Sequence, residues 1–198
     1  MTYSIIGSGA IGTALARQFA RTNTPVLIAN TRGPASLGSL SQELGSAIRP
    51  VGLSEALQAD VIILAVPFSA VEQVAAALPD WKGRVVIDAT NAINFTDFSP
   101  ADLGGRLSSD IVAAMVPGAS IVKAFNTLPA AVLAHEPETP EGKRTIFHSS
   151  NSPQASAVAA ELIAALGFAP ISLGRIDQGG RLQQFGGALM VHSLIKQA

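Results

Sequence analysis

Apolar and polar positions alternate along this chain in a rhythm of short strands and amphipathic helices. Tyr3 to Ile6 is an apolar run of strand length, and a helical pattern follows with Ile11, Ala14, Leu15 and Phe19 on one face. Arg17, Gln18 and Arg21 fall mostly elsewhere on that helix. Pro25 to Ala29 predicts a second strand, and Ala47 to Val51 a short third one leading into a weak helix from Ser54. Val61 to Val66 is apolar throughout, as a parallel strand covered on both faces requires, and Pro67 ends it. Ser69 and Glu72 stand in capping-box spacing before Val71, Val74, Ala75 and Leu78, which predicts a helix beginning there. Trp81-Lys82-Gly83 turns into a strand at Val85 to Asp88, and further strands are predicted at Ile121 to Phe125 and Thr145 to His148. Ser152-Pro153 starts a helix with Val158, Ala159, Leu162 and Leu166 on its apolar face and Gly167 as its C-terminal cap. Ala169 to Leu173 returns as the last strand, and a terminal helix is expected from about Gln183. The alternation predicts an α/β fold, doubly wound around a mostly parallel sheet, with a short C-terminal helical extension.

Composition narrows this picture without changing it. With 198 residues, 48% hydrophobic and 14% charged, the chain is expected to form a single domain over 1–198, the part from about 176 completing a substrate pocket or a dimer contact. A net charge of −1 argues against a general nucleic-acid binder. The absence of cysteine excludes disulfides, thiolate catalysis and cysteine metal sites. No apolar stretch approaches the roughly 18 residues of a membrane span, and no charged segment precedes an apolar one at the start, so a cytoplasmic location is expected.

The first turn carries the chemistry. Gly7-Ser8-Gly9-Ala10-Ile11-Gly12 follows the first strand and opens the first helix. In that setting Gly7 permits a tight turn, Gly9 lets backbone approach a pyrophosphate, and Gly12 lets the helix pack close to the strand. The helix start then directs free N–H groups and a partial positive charge at an anion over the loop. After the second strand stand Asn30, Thr31 and Arg32, and the first carboxylate anywhere is Glu43. A carboxylate at that strand end would select NAD by binding the ribose 2′-hydroxyl, whereas guanidinium and hydroxyl donate to the 2′-phosphate of NADP. A preference for NADPH over NADH of at least about tenfold is expected, one charged hydrogen bond contributing about 1.5–3 kcal/mol. Arg17, Arg21 and Arg32 give the first 42 residues a charge of +3, which fits an anionic ligand there.

In such a sheet the ligand crosses the carboxyl ends of the strands, which singles out Ala65, Val66, Pro67 and Phe68, then Ala89 to Ala92, then Asn126 to Pro129. Phe68 is placed either to flank a nicotinamide or adenine ring or to serve as a core or lid aromatic. Asn91 and Asn126 suit a carboxamide or an acceptor, and equally an ordinary turn cap. Asp88 reads as a loop anchor. The irregular stretch Asn94 to Gly105 is expected to border a substrate pocket. Lys123 either points toward a ligand or occupies an edge or capped position. His135, His148 and His192 show no metal spacing, no metal site is expected, and no catalytic side chain is identified. The only tyrosine is Tyr3, which disfavours a Tyr-Lys proton relay for carbonyl reduction. Hydride transfer to a flavin-like acceptor demands mainly positioning, so few acid/base residues are expected there.

The glycine loop, Ala29-Asn30-Thr31-Arg32-Gly33-Pro34, Asp88-Ala89-Thr90-Asn91 and Val122-Lys123-Ala124-Phe125-Asn126-Thr127-Leu128-Pro129 together resemble the coenzyme F420-dependent NADP oxidoreductase family. The resemblance implies a Rossmann domain with a short C-terminal part completing a pocket for a deazaflavin beside the nicotinamide. It implies phosphate contacts from Ser8 through Ile11, 2′-phosphate contacts from Thr31 and Arg32, and nicotinamide-side contacts from Phe68, Asn91, Ala92, Ile93 and Ala130. It also implies a homodimer, for which the apolar stretch Leu189 to Ile195 is the candidate helix. Ala35, Ser36 and Leu37 replace the further basic residues that archaeal members carry after the arginine, so F420, FMN and FAD all stand as acceptors. A reductase of a small carbonyl or imine, resembling the pyrroline carboxylate reductase type, and a non-catalytic NADPH-binding regulator are the alternative readings.

Overall fold

The computed structural model describes residues 1–197. Its first half runs β1 (Tyr3–Ile6), α1 (Ala10–Arg21), β2 (Val26–Ala29), α2 (Gly38–Leu44), β3 (Ile48–Pro50), α3 (Leu53–Ala56), β4 (Val61–Leu64), α4 (Val71–Ala76) and β5 (Val85–Asp88). There follow β6 (Ile93–Asn94), β7 (Ser99–Pro100), α5 (Ser108–Met115), β8 (Ser120–Ala124), α6 (Ala130–Ala134), β9 (Glu138–Thr139) and β10 (Gly142–Ser150). The chain closes with α7 (Pro153–Ala165), β11 (Ala169–Ser172), α8 (Arg181–Gln183) and β12 (Ile195–Lys196).

The main sheet has the order β3-β2-β1-β4-β5-β8-β10-β11. From β3 to β8 every pairing is parallel, so these strands share one carboxyl rim. β10 reverses the direction, setting His148 opposite Ala124 and Ser150 opposite Val122, and β11 runs parallel to β10. The strand order turns at the β1–β4 boundary, the crevice where doubly wound sheets hold ligands.

The central strands explain the two-faced core. In β4, Val61 and Ile63 join one buried cluster with Ile5, Leu15 and Phe19, while Ile62 and Leu64 join a second with Ile6, Leu57, Trp81 and Val86. All four β4 side chains are fully buried. Burying each contributes roughly 1.5–3 kcal/mol, so a polar residue at any of them would break the strand. On the first face α1 is tied to α6: Gln18 and Arg21 donate to the Leu133, Ala134 and His135 carbonyls at the end of that helix.

Three predicted elements differ. No capping box forms at Ser69, because Pro67 starts a helical turn at Phe68–Ala70 and Ser69 falls inside that turn rather than before it. The C-terminal helical extension is a π turn at Ile176–Gly180 running into α8, and it stops at Gln183. Gly186, at φ +85°, and Gly187, whose missing Cβ would strike the Arg181 and Leu182 carbonyls, end it there. Leu189 to Ile195, the candidate dimer helix, therefore forms turns leading into β12, which pairs with β10. The irregular stretch Asn94 to Gly105 contains the small β6–β7 ribbon. No helix among the described residues is long and apolar enough to cross a membrane.

Candidate cofactor and acceptor site

The glycine loop has the geometry its sequence requires. Gly7 sits at φ +112°, where a Cβ would strike the Ala65 carbonyl, and a Cβ on Gly12 would strike the Gly7 carbonyl. Gly9 differs: a Cβ there would meet nothing within 4 Å, so the space above it is open. No side chain caps the start of α1 and no acidic residue occupies its first turn, which leaves its N–H groups facing that space. Such an opening fits a pyrophosphate.

The loop after β2 is built in advance. Asn30 Nδ2 donates to Ser8 Oγ at 2.9 Å and to Ser36 Oγ at 3.0 Å, while Asn30 Oδ1 accepts from the Arg32 N–H at 2.9 Å. These bonds join the second loop to the first. Between them lies a cleft of about 410 Å³ bringing together the predicted Gly7, Ser8, Gly9, Asn30, Thr31, Arg32, Ala65 and Val66. Ala10, Ile11 and Gly12 form the first turn of α1 behind it. Leu53, Ala70 and Val74 also line the cleft. Sequence reasoning missed this apolar wall, although Ala70 and Val74 stand one helical turn apart, a spacing that could have marked it.

The positive charge of this region reduces to one side chain. Arg17 pairs with Glu43 at 2.7 Å and Arg21 with Glu136 at 3.1 Å, whereas exposed Arg32 forms no ion pair among the described residues. Of the three arginines behind the +3 charge, only Arg32 is uncommitted.

The rim over β5 and β8 is made differently. Asp88 is fully buried and Lys123 is 1% exposed, with Nζ 3.1 Å from Asp88 Oδ2 and 2.6 Å from the Thr90 carbonyl. Ser109 Oγ donates to Asp88 Oδ2 at 2.9 Å, and the Thr90 hydroxyl and N–H donate to Oδ1 at 2.7 and 3.0 Å. Asp88 is thus the loop anchor its position predicted. Of the positions open to Lys123 the structure shows the capped one: it lies inside the sheet, and burial commits its ammonium to Asp88 and the Thr90 carbonyl. Beyond it, Phe125 adopts φ +63°, and Asn126 exchanges hydrogen bonds with Asn91. Gln183 is fully buried and donates through Nε2 to the Lys123 and Phe147 carbonyls at 3.1 and 3.0 Å, while Ser149 Oγ donates to its Oε1. This glutamine bridges the junction where the sheet reverses. Nothing local in the sequence marks it.

The other predicted contacts lie outside the cleft. Phe68 is half-buried against the core cluster containing Ile62 and Leu64. Ala92 is buried and its carbonyl accepts from the Ala101 N–H, Ile93 opens the β6–β7 ribbon, and Ala130 begins α6. His135 and His192 are exposed. His148 is buried with Nδ1 3.3 Å from Ser156 Oγ, and burial holds its imidazole below the usual histidine range. Among the described residues no cluster of metal-ligating side chains occurs.

Two comparisons bear on family. Over its whole length the chain is similar to a hypothetical protein from Sinorhizobium meliloti, with 52% identity, 100% of this chain and 96% of the other covered, and a TM-score of 0.97. Residues 2–92 match the model of a family described as NADP oxidoreductase, coenzyme F420-dependent. The chain belongs to this family. The family match covers the glycine loop, the Arg32 loop and the β5 side of the second rim through Asn91, and ends before β8. Two more distant likenesses show the fold. A protein from Arthrobacter sp. FB24, provisionally assigned as an F420-dependent NADP-reductase, is 22% identical over 89% of this chain and 86% of its own, with a TM-score of 0.71. A reductive aminase from Aspergillus terreus, in complex with NADPH4, cyclohexanone and allyl amine, is 21% identical over 90% of this chain, with a TM-score of 0.64. The chain spans 56% of that aminase.

Proposed function

We propose that this protein binds NADP(H) across the carboxyl rim and transfers a hydride between its nicotinamide and a flavin or deazaflavin acceptor such as F420, FMN or FAD. Arg32 carries the reading: it is exposed at the cleft, unpaired among the described residues, and stands on a loop fixed by Asn30 with no carboxylate beside it. Arg32 and Thr31 hold the 2′-phosphate, Ser8 through Ile11 the pyrophosphate, and Phe68, Asn91 to Ile93 and Ala130 border the nicotinamide end. When bound, NADPH supplies a hydride from C4 of its ring, which with a proton from solvent gives NADP+ and the two-electron-reduced acceptor.

The chain's own contribution is positioning. The ionisable groups buried at this rim, Asp88 and Lys123, are spent on each other. That arrangement favours an acceptor needing no proton from the protein over a carbonyl or imine, which requires a placed acid. Reduction of a small carbonyl or imine is the second reading, supported by the reductive aminase's likeness of fold.

Stopped-flow oxidation of NADPH with F420, FMN and FAD in turn tests this. Oxidation by at least one of them is expected. Turnover only with a carbonyl or imine supports the second reading, and tight NADPH binding without oxidation by any acceptor supports a non-catalytic regulator.

A further inference from the structure

Asn91 has the position of a carboxamide ligand, yet both ends of its amide are turned on Asn126. Asn91 Nδ2 donates to the Asn126 carbonyl at 2.9 Å, and Asn91 Oδ1 accepts from Asn126 Nδ2 at 2.9 Å. Asn126 Nδ2 also donates to the Gln183 carbonyl at 2.6 Å, with the Met190 sulfur 3.9 Å away. These partners fix which way the Asn126 amide points. Exchanging its oxygen and nitrogen would set an oxygen against the Gln183 carbonyl, two acceptors facing each other. In the orientation that remains, Asn126 Oδ1 is buried and has no donor.

An unpartnered acceptor inside a residue only 1% exposed is rare in native proteins and asks for a partner. The residue before it, Phe125, is buried at φ +63°, a conformation seldom adopted by a bulky side chain. Two unfavourable features on adjacent residues at the carboxyl end of β8 mark a binding position better than a packing fault. Asn126 follows β8, but its bond to Asn91 draws its amide to the end of β5. That is two strands from the glycine loop, on the order of 10 Å, on the side away from Arg32.

We propose that Asn126 Oδ1 accepts a hydrogen bond from the carboxamide amino group of the bound nicotinamide, with Asn91 acting as the brace that aims it. The inference rests on the NADP reading above and adds the residue that fixes the nicotinamide ring. Met190, half-buried and unbranched, sets its sulfur 3.9 Å from Asn126 Nδ2 and is an adaptable neighbour of this amide.

The test uses NADP+ and its 3-acetylpyridine analogue, in which a methyl replaces the amino group and the carbonyl is kept. Dissociation constants measured by titration calorimetry need no hydride acceptor. Wild-type protein is expected to bind the analogue roughly tenfold more weakly. In Asn126→Leu, with folding checked by circular dichroism, the two affinities converge because NADP+ loses its partner. Asn126→Ser serves for the same ratio if the leucine variant is misfolded. Equal binding by the wild type, or a roughly tenfold ratio surviving in the variant, overturns the assignment. Tight but equal binding sinks only the role of Asn126, whereas binding of neither ligand overturns the cofactor reading as well.

Discussion

The rim over β1, β2 and β4 is assembled from backbone, glycine, one exposed arginine and the partly exposed Asn30 bonds that join its loops, whereas the rim over β5 and β8 is assembled from buried polar side chains holding one another. Before Asp88, no ionisable side chain among the described residues is fully buried. From Asp88 onward, Asp88 and Lys123 are, and both stand in the second rim. The first rim presents unused donors to solvent, as a site that meets a preformed anionic cofactor should. The second spends its hydrogen bonds internally and leaves Asn126 Oδ1 unpaired. One half of the site leaves its charge and donors exposed, and the other buries its polar groups against one another.

Breaking the second rim should have the largest effect. Lys123→Met leaves Asp88 buried without its cation and is expected to lower unfolding stability by about 3–5 kcal/mol in urea titrations. Pairing it with Asp88→Asn should restore much of that loss, and a change under about 1 kcal/mol for Lys123→Met alone would mean the pair holds nothing together. The first rim should respond in affinity instead. Arg32→Ala is expected to weaken NADPH binding at least about tenfold with stability unchanged, while NADH binding hardly moves. An equal loss for both cofactors would remove Arg32 from the 2′-phosphate and erase the contrast. The smallest effect concerns acid. Because burial lowers the pKa of His148, the unfolded chain takes up a proton first as pH falls. Its contribution to stability is complete above the unfolded value near 6.5 and diminishes as pH drops from there toward the lowered folded value. Melting temperatures between about pH 7 and 5 should decline less steeply in His148→Gln than in the wild type, and parallel curves would discard this assignment.

The same division explains what was legible in the sequence. Gly7, Gly9, Gly12 and Arg32 announce themselves because each acts through local backbone or through the end of its own strand. β1, β5 and the Ser152-capped α7 are similarly local, Ser152 Oγ accepting from the Ala155 N–H at 3.2 Å. The second rim draws Asn91, Asn126 and Gln183 together across 35 and 57 positions of chain, and no spacing rule carries such pairings. Lys123 was ambiguous for the same reason, since its partner lies 35 residues away. The predicted terminal helix does not form because Gly186-Gly187 outweighs the apolar content that follows, and the backbone conformation there stops a helix.

Gln183 finally bears on the order in which the molecule comes together. The strands around the glycine loop, β1, β2 and β4, all lie within the first 64 residues and pair with one another. The carbonyls of Lys123 and Phe147 obtain their glutamine only after residue 183 has closed loops of 60 and 36 residues. Long closures are entropically late events. On a growing chain the pairings of β1, β2 and β4 therefore close early, and the Gln183 bridge at the sheet reversal is sealed last.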